Sequence, residues 1–135
     1  MQEELLKLQQ NSYSPYSKFK VACIVIMNDG TKFYGVNVEN ASYGATICAE
    51  RVAITSAIAK GYKTNDFKEL YVMIDRDNIG TPCFICRQVI SEFFPMDSKV
   101  ICMSQSGESK EYTVKELCTY PFGKDDLEWK VVVLA

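Results

Sequence analysis

The sequence contains no histidine. That absence excludes Ser-His-Asp and Cys-His catalysis, imidazole metal ligands and histidine proton shuttles together. Chemistry here must come from cysteine, carboxylate or a metal they hold. Long apolar runs are also missing. The longest, Val21–Met27, is far short of the ~20 residues that span a bilayer, so no membrane partner is expected. Lys and Arg are scattered singly and the formal net charge is −2, which offers no basic stripe for a phosphate backbone and excludes nucleic acid as the expected partner. Met1–Gln10 lacks the basic start, apolar middle and small-residue cleavage site of a signal peptide, and a soluble, cytoplasmic protein is expected. There is no repeat, low-complexity tract or linker. At 135 residues, with 47% hydrophobic and 24% charged residues, the composition predicts a single globular domain over residues 1–135.

What is present in quantity is cysteine, six in all. Disulfide frameworks belong to smaller secreted scaffolds, so reduced thiols are expected here, some as core residues and some as ligands.

The chain pattern predicts a short amphipathic helix over Glu3–Gln10, then a turn at Ser14-Pro15-Tyr16. A strand buried on both faces follows over Phe19–Met27, and Asn28-Asp29-Gly30 turns it into a second strand over Thr31–Val38. Residues from Ile47 or Cys48 to Lys60 read as a buried helix stopped by Gly61. Leu70–Ile74 is the next strand, Pro82 opens another helix that Pro95 ends, Lys99–Met103 is a fourth strand, and Tyr112–Val114 belongs to a fifth. This alternation predicts an α/β fold: a three-layer sandwich with a mixed, about five-stranded sheet flanked by helices.

Cys83-Phe84-Ile85-Cys86 is a CxxC, and i, i+3 spacing puts both sulfurs on one helix face, in a first turn where the dipole favours thiolates. Cys48 stands at the head of the other buried helix, so three thiolates from two helix starts can meet on one ion. Three ligands without a fourth is the pattern of a catalytic zinc, which keeps a position open for water. Glu50, two residues after Cys48, is placed to move that water's proton. Three thiolates leave a formal charge of about −1 on the zinc site, and Arg51 and Arg87, each beside a site residue, are candidate hydrogen-bond donors to sulfur that offset it.

Each feature taken singly has a plainer reading. The CxxC is equally a structural or redox motif, Glu50 a solvated helix residue, Arg51 and Arg87 surface charges, Phe19 and Phe122 core residues, and Asn37 and Glu39 turn residues. Cys23, Cys102 and Cys118 sit in or beside apolar runs and read as core thiols. A non-catalytic zinc-stabilised or redox domain would need one of those three as a fourth ligand.

The blocks Asn37-Val38-Glu39-Asn40-Ala41-Ser42-Tyr43-Gly44, Thr46-Ile47-Cys48-Ala49-Glu50-Arg51 and Pro82-Cys83-Phe84-Ile85-Cys86-Arg87-Gln88-Val89 resemble the signature blocks of the small, all-cysteine cytidine deaminases. The resemblance runs from Ser14-Pro15-Tyr16-Ser17-Lys18-Phe19 to Phe122-Gly123-Lys124-Asp125-Asp126-Leu127, with Phe84 standing where the family usually has glycine. It implies zinc-dependent hydrolysis of cytidine and deoxycytidine to uridine and deoxyuridine with release of ammonia, with one Zn2+ per subunit on Cys48, Cys83 and Cys86 and Glu50 as the proton carrier. It further implies that Asn37 and Glu39 bind the ribose, that Phe19 packs on the pyrimidine, and that the Ala49 backbone hydrogen-bonds the base. Tyr43 and Phe122 would complete a neighbouring subunit's site in a homotetramer. A related deaminase acting on a modified cytosine nucleoside is the enzymatic alternative.

Overall fold

The computed structural model describes residues 1–127; the tail Glu128–Ala135, which follows the last family block, lies outside the described residues. Strands β1 (Val21–Met27) and β2 (Lys32–Val36) form the antiparallel hairpin expected from Asn28-Asp29-Gly30. Gly30 supplies the left-handed turn residue at φ 87°, and Asp29 Oδ1 accepts from Thr31 N at 3.0 Å. On its other side β1 pairs antiparallel with β3 (Phe67–Ile74). β3 runs parallel to β4 (Lys99–Ser104), which pairs antiparallel with β5 (Ser109–Thr113). The result is a mixed five-stranded sheet of order β2-β1-β3-β4-β5.

Side chains alternate across this sheet, so β1 serves two cores. Ala22 and Ile24 meet Leu5 of α1 (Gln2–Gln9) together with Met73, Ile101 and Met103. Cys23 and Val25 face the opposite side, where Ala53, Ile54 and Ala57 of α2 (Ala49–Lys60) and Ile90 of α3 (Phe84–Phe93) pack. Helices on both faces make the three-layer sandwich, and this double cover is why six of the seven β1 residues are buried. The buried Gln9 fastens α1 to the sheet: its Nε2 donates to Lys20 O at 3.2 Å and to Met73 O at 3.1 Å. Gly61, at φ 110°, ends α2 as a left-handed cap.

Several boundaries differ from the sequence reading, with β1 starting at Val21 rather than Phe19 and β2 ending at Val36 rather than Val38. β3 begins at Phe67 rather than Leu70, because a register shift at Ile26/Met27 lets Met27 pair with Phe67. β5 is Ser109–Thr113, and Val114, expected in that strand, instead starts α4 (Val114–Leu117). The cause is a capping box: Thr113 Oγ1 accepts from Glu116 N at 3.1 Å and Glu116 Oε1 accepts from Thr113 N at 2.8 Å. Pro82 does not open α3 itself but precedes its cap, Cys83. Among the described residues no helix is long and apolar enough to cross a membrane.

Candidate active site

α2 and α3 each begin on a thiol. Cys48 is the cap of α2, with extended backbone (φ −71°, ψ 153°), and Cys83 is the cap of α3 (φ −65°, ψ 165°); Cys86 follows as the third helical residue. Neither cap side chain accepts from the helix, so the first-turn N–H groups and the positive dipole ends are left to favour negative sulfur. The three Sγ atoms lie within 4.8 Å of one another, and Cys48 Sγ is 3.9 Å from Cys83 Sγ. Sulfurs bound tetrahedrally at about 2.3 Å from zinc stand about 3.8 Å apart, so the spacing fits one such ion.

The proton balance among the thiols fits as well. Hydrogen bonding to Cys86 draws the Cys48 thiol down to about 5 against the opposing effect of burial, and Arg51, whose Nη2 is 3.6 Å from Cys48 Sγ, pulls in the same direction. The Cys86 thiol is pushed up by the same contact and by burial. The two shifts run in opposite directions, and binding a cation, which needs both groups as thiolates, would release protons. Burial pushes the Cys23 thiol up and the Cys102 thiol up to about 12. Cys118, also raised by burial, donates to Arg87 O at 3.3 Å. These three are core thiols, and among the described residues the cluster contains Cys48, Cys83 and Cys86 only, which leaves a fourth coordination position open.

Glu50 is the second residue of α2 and is 5% exposed. Burial pushes its carboxyl up to about 7, with the Cys48 thiolate adding to the effect. A carboxyl titrating there both takes and returns a proton near neutral pH. It opens on a cavity of about 230 Å³ that Cys48, Cys83, Ala49, Phe19 and Asn37 also line. That is smaller than the roughly 300–1,000 Å³ of drug-sized ligand sites and suits a small molecule. The cavity sits at the carboxyl end of β3, where open α/β sheets place their ligands. Val72, Ile74, Thr46 and Thr81 line it too and escaped the sequence reading. Val72 and Ile74 continue the period-two series from Leu70, which was the available signal.

The other candidates distribute around this cavity. Asn37 is buried and engaged: its Nδ2 donates to Phe19 O at 2.7 Å, and its Oδ1 accepts from Val21 N at 2.9 Å and from Ser12 Oγ. It therefore fixes the backbone that carries Phe19. Glu39 lines an adjoining hollow of about 400 Å³ with the exposed Tyr43, and Thr46 belongs to both spaces. The Glu39 carboxylate accepts from Tyr16 N at 3.0 Å, Ser17 N at 3.1 Å and Ser17 Oγ, which hold its carboxyl below the usual range. Phe122 lies apart, in a hollow shared with Phe84, Arg87 and Gln88, and its carbonyl accepts from Gln88 Nε2 at 2.7 Å.

Arg51 and Arg87 engage different groups: Arg51 Nη2 lies 3.6 Å from Cys48 Sγ, and the Arg87 guanidinium donates to three oxygens. Its Nε donates to Pro82 O at 2.8 Å, Nη2 to Thr81 Oγ1 at 2.7 Å and Nη1 to Leu117 O at 3.2 Å. It braces the loop that delivers Cys83. Phe84, at the usual glycine position, is the first residue of α3 and carries no left-handed backbone; among the described non-glycine residues only Lys18, Asn65 and Tyr120 do. Its exposed ring lies 4.4 Å from Arg87 Cζ.

Three helix-borne thiols that could hold a metal ion, with a buried carboxyl beside them on a mixed α/β/α sheet, fit a hydrolytic enzyme of the deaminase class. A sequence model of the cytidine and deoxycytidylate deaminase zinc-binding region matches residues 1–104. The chain is 38% identical over 125 residues to the cytidine deaminase of Halalkalibacterium halodurans, covering 93% of each. It is 40% identical over 134 residues to a probable cytidine deaminase of Dictyostelium discoideum, covering 93% of this chain and 88% of the relative. The crystal structure of cytidine deaminase from Burkholderia pseudomallei superposes with a TM-score of 0.85 at 37% identity, over 89% of this chain and 94% of that one. The chain belongs to the cytidine and deoxycytidylate deaminase family.

Proposed function

We propose that the protein hydrolyses cytidine and deoxycytidine to uridine and deoxyuridine with release of ammonia, in cytoplasmic pyrimidine salvage, using one zinc ion per subunit on Cys48, Cys83 and Cys86. The observation that carries this reading is the buried Glu50 carboxyl opening on the same small cavity as Cys48 and Cys83. When bound, zinc supplies Lewis acidity that lowers the pKa of water at its open position. Glu50 takes the first proton of the attacking water and delivers it to the ring nitrogen, then takes the second from the hydroxyl added at C4 and delivers it to the amine, which departs as ammonia as the C4 carbonyl forms. The Ala49 N–H, in the first turn of α2 and without an acceptor inside the helix, hydrogen-bonds the base. Phe19 packs on the pyrimidine. Asn37, with one N–H already given to Phe19 O, offers its second to the sugar, and Glu39 binds the ribose from the adjoining hollow.

Arg51 offsets thiolate charge through Cys48, and Arg87 keeps the Thr81–Cys83 loop in place. Tyr43 and Phe122 are exposed and lie outside the Glu50 cavity, which supports their contributing to a neighbouring subunit's site in a homotetramer. The test is ammonia release from cytidine by zinc-loaded protein. Glu50→Gln should retain zinc by metal analysis and lose about 10²- to 10⁴-fold in rate, the usual contribution of a general acid–base group; undiminished release would sink the mechanism.

A further inference from the structure

Phe19 lines the Glu50 cavity whereas Arg76 does not, yet the Arg76 Cζ stands 4.7 Å from the centre of the Phe19 ring. The sheet register brings them together. Val21 pairs with Ile74 at the end of the antiparallel β1/β3 ladder, and Asp75 N donates to Lys20 O at 3.1 Å one step further on. The next opposed positions along that path are Phe19 and Arg76, so their side chains meet as a cross-strand pair beyond the last ladder residue.

Arg76 is well anchored for this contact. Its Nη1 donates to Asp75 O at 3.0 Å and to the Asp75 carboxylate, and its carbonyl accepts from Gln105 N at 3.0 Å in the turn between β4 and β5. Phe19 is pinned differently: its N donates to Ser17 Oγ at 3.0 Å and its carbonyl accepts from Asn37. Those bonds fix the backbone of Phe19 and leave the orientation of its half-buried ring to packing. The Asp75 carboxylate balances the guanidinium charge, so the contact acts on the ring rather than attracting a charged ligand.

We propose that Arg76 is a positioning residue that holds the Phe19 ring in place as a wall of the cavity, ready to take one face of the pyrimidine. This rests on the reading of Phe19 as the base-packing residue. A cation on an aromatic face open to solvent corresponds to about a two- to fivefold preference for the stacked arrangement, and that ratio sets the size of the expected effect.

The test uses zinc-loaded full-length protein. Arg76→Ala and Arg76→Leu should raise KM for cytidine about two- to fivefold with kcat held within twofold, Arg76→Lys should recover most of the loss, and melting temperatures should be unchanged. In a Phe19→Ala background Arg76→Ala should add nothing. No rise in KM, or an equal rise in both backgrounds, overturns the proposal. Ring resonances of 13C-labelled phenylalanine give a readout without substrate: the Phe19 signals must move in Arg76→Ala, and unmoved signals overturn the proposal regardless of kinetics. Should they move while the unmodified protein releases no ammonia from cytidine, the assigned substrate falls and the Arg76 contact stands.

Discussion

Gly35 of β2 passes so close to Ala49 of α2 that a Cβ on the glycine would stand 2.2 Å from Ala49 O and 2.6 Å from Ala53 N. Both are backbone atoms, so no side-chain rotation relieves the overlap. Because Glu50 follows Ala49, this approach sets how deeply the carboxyl is buried. Gly35→Ala should lift the first turn of α2 from the sheet, costing about 1–3 kcal/mol as overpacking does, and should lower turnover of cytidine in the protein that remains folded. Denaturant midpoints and rates per bound zinc check this; wild-type values of both would mean that the helix start does not depend on the contact.

Removing the metal should sort the six cysteines. Cys83 is exposed and Cys48 half-exposed with a lowered pKa, while Cys23 and Cys102 are buried with raised ones. After chelation, iodoacetamide should label Cys48 and Cys83 first, and leave Cys23 and Cys102 intact until the protein unfolds. Zinc should block the first labelling and raise the melting temperature, because it binds the folded chain. Peptide mass spectrometry reads the order, and equal rates at all six thiols would contradict the cluster.

The features legible in the sequence were those set by short-range spacing. Cys48-Ala49-Glu50 and Cys83–Cys86 carry their geometry within one helical turn, and Asn28-Asp29-Gly30 carries its turn in three residues. Contacts decided by which strands become neighbours were not legible. Gly35 is a routine strand glycine until α2 lies across it, and Arg76 is a loop cation until the β1/β3 register sets it opposite Phe19. β5 was hard to place for another reason: Ser109, Lys110 and Glu111 are exposed on the sheet edge, so no hydrophobic alternation marks the strand. The Thr113–Glu116 box that ends it was readable and would have moved Val114 into a helix. The three oxygens that Arg87 serves were not legible either, since sitting beside Cys86 in sequence does not fix where a long side chain reaches.

Arg87→Lys should weaken zinc binding without touching a ligand. The guanidinium serves Pro82 O, Thr81 Oγ1 and Leu117 O at once, and an ammonium cannot reproduce that planar spread. Loss of such outer support typically costs about 10- to 100-fold in metal affinity. Competition with a chromogenic chelator measures it, and Thr81→Val, which removes one of the three bonds, should show a smaller loss. Unchanged affinity in Arg87→Lys would show that the loop keeps its shape unaided.

The far end of α2 is held by a bond whose pH dependence is predictable. Tyr62 Oη donates to Asp29 Oδ2 at 2.6 Å and lies 3.0 Å from Thr31 Oγ1, tying the residue after the Gly61 cap to the β1–β2 turn. This bond lowers the Asp29 carboxyl from its ordinary 3.8 and raises the Tyr62 phenol from its ordinary 10.0. A lowered carboxyl contributes stability above its unfolded pKa and loses it as pH falls through the folded value. A raised phenol contributes below its unfolded pKa and loses it as pH rises through the folded value. The bond therefore stabilises on a plateau between about pH 4 and pH 10. Tyr62→Phe keeps the ring packed edge-on against Phe33 and removes only the hydroxyl. Its denaturant midpoint should fall below wild type at pH 7, and the difference should shrink as pH drops below about 4. A gap absent at pH 7, or equally large at pH 3, would show that the bond contributes nothing. Since Glu50 is at the other end of α2, Tyr62→Phe should leave cytidine turnover near wild type where Gly35→Ala does not. That contrast separates loosening the helix from displacing its catalytic turn.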